Sequence, residues 1–196
     1  MPGRGGAVPY TAPMPWGWIL VGVGGVVAVW FVVAYNGLVR RRNRVDNAWG
    51  QVEVQLKRRY DLIPNLVEAV KGYAAHEQDT LQAVVEARNR ALEATTPTEQ
   101  AEAENVLTGA LRRLFALAEA YPQLRASENF AALQAELAET ENKIAVARQI
   151  YNDSVLGYNN LVQTIPTMVV ARVAGFRPRD FFDAPPSADE APPVAF

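Results

Sequence analysis

ENFAALQAELAETENKIAVARQIYNDSVLGYNNLVQTI, residues 128–165, carries an apolar or aromatic side chain at every seventh position: Phe130, Leu137, Ile144, Tyr151, Tyr158 and Ile165. Leu133, Thr140, Ala147, Ser154 and Leu161 fill the interleaved row. Apolar positions that recur every 3.5 residues mark a helix packed lengthwise on a neighbour, so these positions are expected to form a bundle seam. Ser127 is a suitable N-cap, and Pro166 closes the helix after roughly 39 residues, almost 60 Å at helical rise. Thr140 and Ser154 in the seam, with Asn142 and Asn152 beside it, are expected to fix helix register, because an unpaired amide inside costs about 1–3 kcal/mol.

Upstream, a second helix opens at Thr96, with Pro97 at its first position and Glu99 three after the cap, the spacing of a capping box. Val106, Leu107, Ala110, Leu111, Leu114, Ala118 and Tyr121 share one of its faces, and Pro122 ends it. Further back, Val45, Trp49, Val52, Leu56, Leu62, Leu66, Val70, Leu81 and Val84 recur at helical steps, which predicts a long amphipathic helix from Val45 to Leu92. Pro64 lacks the backbone donor and crowds the carbonyl four residues back, so a kink or short break is expected there. Short connections between long helices force antiparallel neighbours. The expected fold is all-α: an N-terminal transmembrane helix followed by an elongated antiparallel bundle of three to four long helices.

The transmembrane reading rests on Trp16 to Tyr35, twenty residues without a charge, followed by Arg40, Arg41, Arg42 and Arg44. Twenty helical residues span about 30 Å, the thickness of a bilayer's hydrocarbon core. A cleaved leader would be shorter and preceded by more basic charge; here Arg4 alone precedes the run. Trp16 and Trp18 at one end and Tyr35 at the other suit the two interfaces. The fifteen residues before the run hold one arginine and the fifteen after it hold four, which by the positive-inside rule leaves residues 1–15 outside and the main domain in the cytoplasm. The same four arginines are placed to meet anionic lipid head groups. The domain plan is therefore a short extracytoplasmic tail (1–15), the span (16–35), the helical bundle (36–183) and a Pro-rich tail (184–196) expected to be disordered.

Composition removes most chemistry. There is no cysteine and one histidine, so thiolate catalysis, disulfides and thiolate metal sites are excluded. His76-Glu77 lacks the second histidine of a helix-borne zinc site, since Thr80 stands four residues on. A net charge of −2 and a pI near 5.5 argue against a nucleic-acid partner. Glu136, Glu139 and Glu141 read as a solvated helix face. No catalytic residue, cofactor, metal or small-molecule substrate is expected, and the chain is read as no enzyme.

The order of the motifs carries a resemblance. Tyr35-Asn36-x-Leu38-Val39, Ala48-Trp49, Arg58-Arg59-Tyr60-Asp61-Leu62-Ile63-Pro64-Asn65-Leu66-Val67 and Tyr73-Ala74-x-His76-Glu77 come first. Ala103-Glu104-Asn105, Tyr121-Pro122-x-Leu124, Asn129-Phe130, Thr140-Glu141-Asn142, Tyr151-Asn152, Tyr158-Asn159 and Gly175-Phe176 follow. Together they resemble the LemA family of bacterial membrane-anchored proteins, over about Tyr35 to Phe182. The resemblance implies a single-span protein of the bacterial cytoplasmic membrane with an elongated helical bundle, and it supplies no accepted catalytic residues to carry over. One branch of similar proteins is associated with membrane organelles that hold magnetic crystals. The expected role is a scaffold that self-associates, with membrane lipids, a second copy of the chain and a protein partner at the membrane as its contacts. An accessory subunit of a membrane protease or envelope-stress complex is the alternative. Because the matching residues are rich in Asn, Tyr, Glu and Arg, an interaction face built from them is expected.

Overall fold

A computed structural model describes residues 16–182, which form six helices and, among the described residues, no strand. The expected tails at 1–15 and 184–196 lie outside the described residues. Helix α1, Trp16–Lys71, runs without a break from the uncharged segment through the arginine cluster into the bundle. Neither Gly37 nor Gly50 interrupts it, so the uncharged run and the bundle share one rod. Helix α2 spans Gln78–Glu93, α3 Pro97–Ala118, α4 Pro122–Arg125, α5 Glu128–Gln163 and α6 Thr167–Val173.

The chain does not divide at Pro64. It leaves the helix at Gly72 and re-enters at Gln78, so the single helix expected from Val45 to Leu92 is two. Pro64 is tolerated because its missing N–H orphans one acceptor, the Tyr60 carbonyl, and Arg88 of α2 donates to that oxygen from Nε at 2.8 Å. The turn at 72–77 closes through Tyr73 and Ala74 N–H donating to the Val70 carbonyl, with Ala74 buried beneath it.

The cap signals translate directly. Thr96 Oγ1 accepts from Glu99 N, and the Glu99 carboxylate accepts from the backbone of Thr95 and Thr96, completing the box. Those backbone donors hold the Glu99 carboxyl below its ordinary range. Pro122 starts the one-turn α4 rather than merely stopping α3. Ser127 caps α5 by accepting from Phe130 N.

Helices α1 and α5 form the long axis. Arg59 meets Glu141, Trp49 meets Tyr151, and Arg41 lies over Gly157, so numbers fall on one helix as they rise on the other: the pair is antiparallel. The α2–α3 hairpin packs on the far part of this pair, where Leu81, Val84, Leu107, Leu111 and Leu114 are buried with Ile63, Leu66 and Val70 of α1.

The seam on α5 begins as a heptad and then drifts. Phe130, Leu137, Thr140, Ile144, Ala147, Tyr151 and Tyr158 are buried and Leu133 is half-buried. Beyond Tyr151 the buried positions are Val155, Tyr158, Asn159 and Val162, while Ser154 and Leu161 are only half-buried. A straight helix turns every 3.6 residues, so a strict 3.5 repeat slips about 20° per heptad. Ile165 lies past the end of α5 and is 79% exposed, outside the seam altogether. Thr140 and Ser154 do not set register across helices, since each hydroxyl donates to the carbonyl four residues back in its own helix, Glu136 and Ile150, at 2.8 Å.

Helix α6 ends in a turn that requires glycine. Gly175 has φ of +75°, Gly175 N donates to Arg172 O and Phe176 N to Ala171 O, the paired bonds of a Schellman cap. The turn sends Phe176–Phe182 back along α5 as an extended strap.

Candidate functional site

Two polar constellations and one basic end stand out from the apolar bundle. The first is an ion cluster where α1, α2, α3 and α5 meet. Arg59 occupies the apolar stripe of α1, between Leu56 and Ile63, and is 2% exposed. Its guanidinium binds Glu104 of α3 at 2.5 Å, Glu141 of α5 at 2.8 Å and the Thr108 hydroxyl at 2.9 Å. Tyr60 donates its hydroxyl to Glu104 and accepts from Gln100 Nε2 at 2.8 Å; Gln100 also donates to the Ala91 carbonyl at 3.1 Å. Burial and the Glu104 charge push the Tyr60 phenol far above its ordinary value, so it remains a protonated donor. Burial also raises Glu141, against the pull of Arg59.

The one guanidinium offsets only one of the two carboxylate charges, and Tyr60 and Gln100 donate to Glu104 as well, so the cluster ties α1, α3 and α5 together through Arg59. A cleft of about 460 Å³ opens beside it, lined by Arg59, Thr108, Arg112, Phe115, Gln134 and Glu141. Among the described residues no cluster of three or more Asp, Glu, His or Cys side chains has metal-binding geometry. His76 is exposed on the 72–77 turn. Glu136 and Glu141 are not the plain solvated face expected: Glu136 pairs with Arg58 at 3.0 Å and Glu141 with Arg59.

The second constellation is a clamp on the strap. Asn159 donates Nδ2 to Arg179 O at 2.9 Å and accepts from Arg179 N at 2.8 Å. One heptad earlier, Asn152 makes the same pair of bonds to Phe182, at 3.0 and 2.9 Å. Tyr158 donates to Arg177 O at 2.9 Å and Tyr151 to Asp180 O at 2.8 Å. The repeat works because seven helical residues rise about 10.5 Å, close to three residues of extended chain. Phe182 is buried with its ring 5.8 Å from Trp49, which itself sits 5.1 Å from Tyr151. Arg179 adds an ion pair to Asp46 at 2.9 Å. Burial pushes the Tyr151 phenol up to about 12 and raises Tyr158 as well.

The basic end lies where the strap begins. Tyr35 meets Phe176 edge-on at 5.7 Å, and the Arg42 guanidinium stacks over that same ring at 5.4 Å. Arg40, Arg41 and Arg44 are exposed beside it, and Trp16 and Trp18 are exposed at the other end of the uncharged run. All of these residues, and the clamp side chains Tyr151, Asn152, Tyr158 and Asn159, stand out in the sequence, though as seam, register or motif residues and not as ligands of a strap. The Arg59–Glu104 tie was legible only as two charges, each interrupting an apolar stripe.

The model of the LemA family matches residues 48–196, three quarters of the chain. This chain belongs to the LemA family. Similar proteins include protein LemA of Metamycoplasma hominis, 27% identical over 146 residues, which cover 72% of this chain and 65% of that protein. Two magnetosome proteins, MamQ 2 of Paramagnetospirillum magneticum and MamQ of Magnetospirillum gryphiswaldense, are 26% and 25% identical over 184 residues. Those matches cover 81% of this LemA-family chain and 68% of each relative. The chain thus spans about two thirds of the length of the relatives it matches. The Trp49, Arg59, Glu104, Glu141, Asn152 and Asn159 side chains all fall within the family match.

Proposed function

We propose that this LemA-family chain is a non-enzymatic, membrane-anchored scaffold that self-associates or recruits partners at the cytoplasmic face of the bacterial inner membrane. The observation that carries this reading is an open apolar groove between α1 and α5. It has a volume of about 640 Å³; Val54, Val146, Ala147 and Ile150 supply most of its apolar surface, and Asn47, Gln51, Gln55, Asn142, Glu139 and Lys143 also line it. The hairpin contacts described above lie at or beyond Arg59 on α1, so nothing of the α2–α3 pair fills this nearer stretch. A mainly apolar groove with polar and charged side chains along it is the anatomy of a helix-docking surface. The names of the MamQ relatives attach them to a magnetosome, an association in keeping with a role in membrane organisation. The uncharged half of α1 supports the anchor, and the arginine asymmetry supports the cytoplasmic orientation.

The test is the mass of the full-length chain in mild detergent or native lipid, by light scattering and cross-linking, with Val146→Glu and Ile150→Glu as comparators. Self-association lost in both variants is expected. A monomer that cross-links in the membrane to a stoichiometric protein of different sequence would move the reading to an accessory subunit. A monomer with no cross-linked partner would refute the scaffold.

A further inference from the structure

We infer that α6 and the Ile165–Pro166 turn form a second membrane contact, lying in the head-group layer beside the point where α1 leaves the bilayer. This rests on the reading of α1 as a membrane span and adds to it. Register places α6. Twelve residues beyond Tyr151 on α5 is Gln163, and twelve residues before its partner Trp49 on α1 is Gly37. The antiparallel pair therefore brings the end of α5 level with the end of the uncharged run, and Ile165 lies past it, at the height of Tyr35. A second marker agrees, because Phe176, two residues after α6 gives way to Ala174, touches Tyr35 itself. Phe31 and Ala34, inside the run, already pack against the bundle core together with Leu38.

The outward surface at this height has the wrong chemistry for water. Val170 and Ala171 face inward and are fully buried, while Ile165, Val169 and Val173, at four-residue steps, are 79%, 54% and 73% exposed. A seven-residue helix that is apolar on both sides needs a second apolar neighbour. Charge selects which. Arg40, Arg41, Arg42, Arg44, Arg172 and Arg177 are exposed at this end, and none of them pairs with a carboxylate among the described residues. The sequence holds no Asp or Glu from Trp16 to Val45, nor from Ser154 to Arg179. Exposed valines and isoleucine ringed by unpaired arginines match the boundary between anionic head groups and acyl chains.

The chain has no cysteine, so single labels report depth directly. Ile165→Cys, Val169→Cys and Val173→Cys in the full-length protein would each carry an environment-sensitive fluorophore. Vesicles of phosphatidylcholine and phosphatidylglycerol supply the bilayer. Val29→Cys reports the span and Arg125→Cys the distal end. All five side chains are exposed, so an unchanged helical circular-dichroism signal verifies folding. The expected result is blue-shifted emission at 165, 169 and 173, quenched by lipid-borne quenchers at head-group depth and shielded from aqueous iodide. Val29 should respond to deep quenchers and Arg125 to iodide alone. Iodide quenching at 165 and 169 with Val29 still in lipid would overturn the second contact and leave the span intact. An aqueous Val29 would overturn both.

Discussion

Pro64 and Arg88 illustrate how one side chain can repair what another breaks. The proline removes the N–H that would reach Tyr60 O, and Arg88 replaces it from a different helix. Deleting that donor leaves a part-buried acceptor unpaired, a loss of about 1–3 kcal/mol. Arg88→Met should therefore destabilise the bundle by that amount in urea unfolding. In a Pro64→Ala background the backbone N–H returns, and the same Arg88→Met change should cost clearly less; strictly additive effects would show that the two residues are not coupled. The clamp makes a different prediction. Burial raises Tyr151 from its ordinary 10 to about 12, so the folded state holds the phenolic proton more tightly than the unfolded chain. Its stabilising share is then fully present below pH 10 and is lost as pH climbs through 12. The phenol absorbance change should coincide with a change in Trp49 fluorescence, since the ring lies 5.1 Å away. Tyr151→Phe should abolish that coincidence; a fluorescence step that survives the substitution would detach the strap from this phenol.

Helix α5 shows what periodicity can and cannot reveal. Its existence, cap and first four turns were legible because Ser127 and a run of heptad apolar residues agree. In its lower half Tyr158 stays buried but the interleaved row moves by one position, because real helical pitch carries the buried face from Ser154 to Val155 and from Leu161 to Val162. Val155→Ala should cost about 1–3 kcal/mol as a buried truncation, whereas Ser154→Ala should fall within about 0.5 kcal/mol of the parent. Equal effects would mean that the heptad register persists in solution. The strap was illegible for another reason. Asn152 and Asn159 satisfy backbone groups some twenty to thirty residues away, and no local pattern announces a partner at that distance. The break at Gly72 was missed because Val70 and Leu81 keep a helical phase across it, so the pattern reads straight through.

The assembled protein is a rod with its polar business arranged by distance from the uncharged run: basic end, strap clamp, open groove, then ion tie. On the membrane-anchored reading proposed above, charge segregation along that rod is what would set its orientation. Arg40, Arg41, Arg42 and Arg44 supply most of the asymmetry readable in sequence, and folding adds Arg172 and Arg177 to the same end. Orientation responds mainly to basic residues near a span. Replacing the four α1 arginines with glutamine should therefore leave a minority signal rather than none. With Arg125→Cys as the only thiol, an impermeant maleimide should label the parent bundle in bacterial spheroplasts only after the membrane is opened. The four-glutamine variant should show a labelled fraction before opening, from inverted molecules. Adding Arg172→Gln and Arg177→Gln should raise that fraction further, because these residues count toward orientation only if α6 sits at the bilayer surface. A four-glutamine variant as fully protected as the parent would show that these arginines do not set the topology.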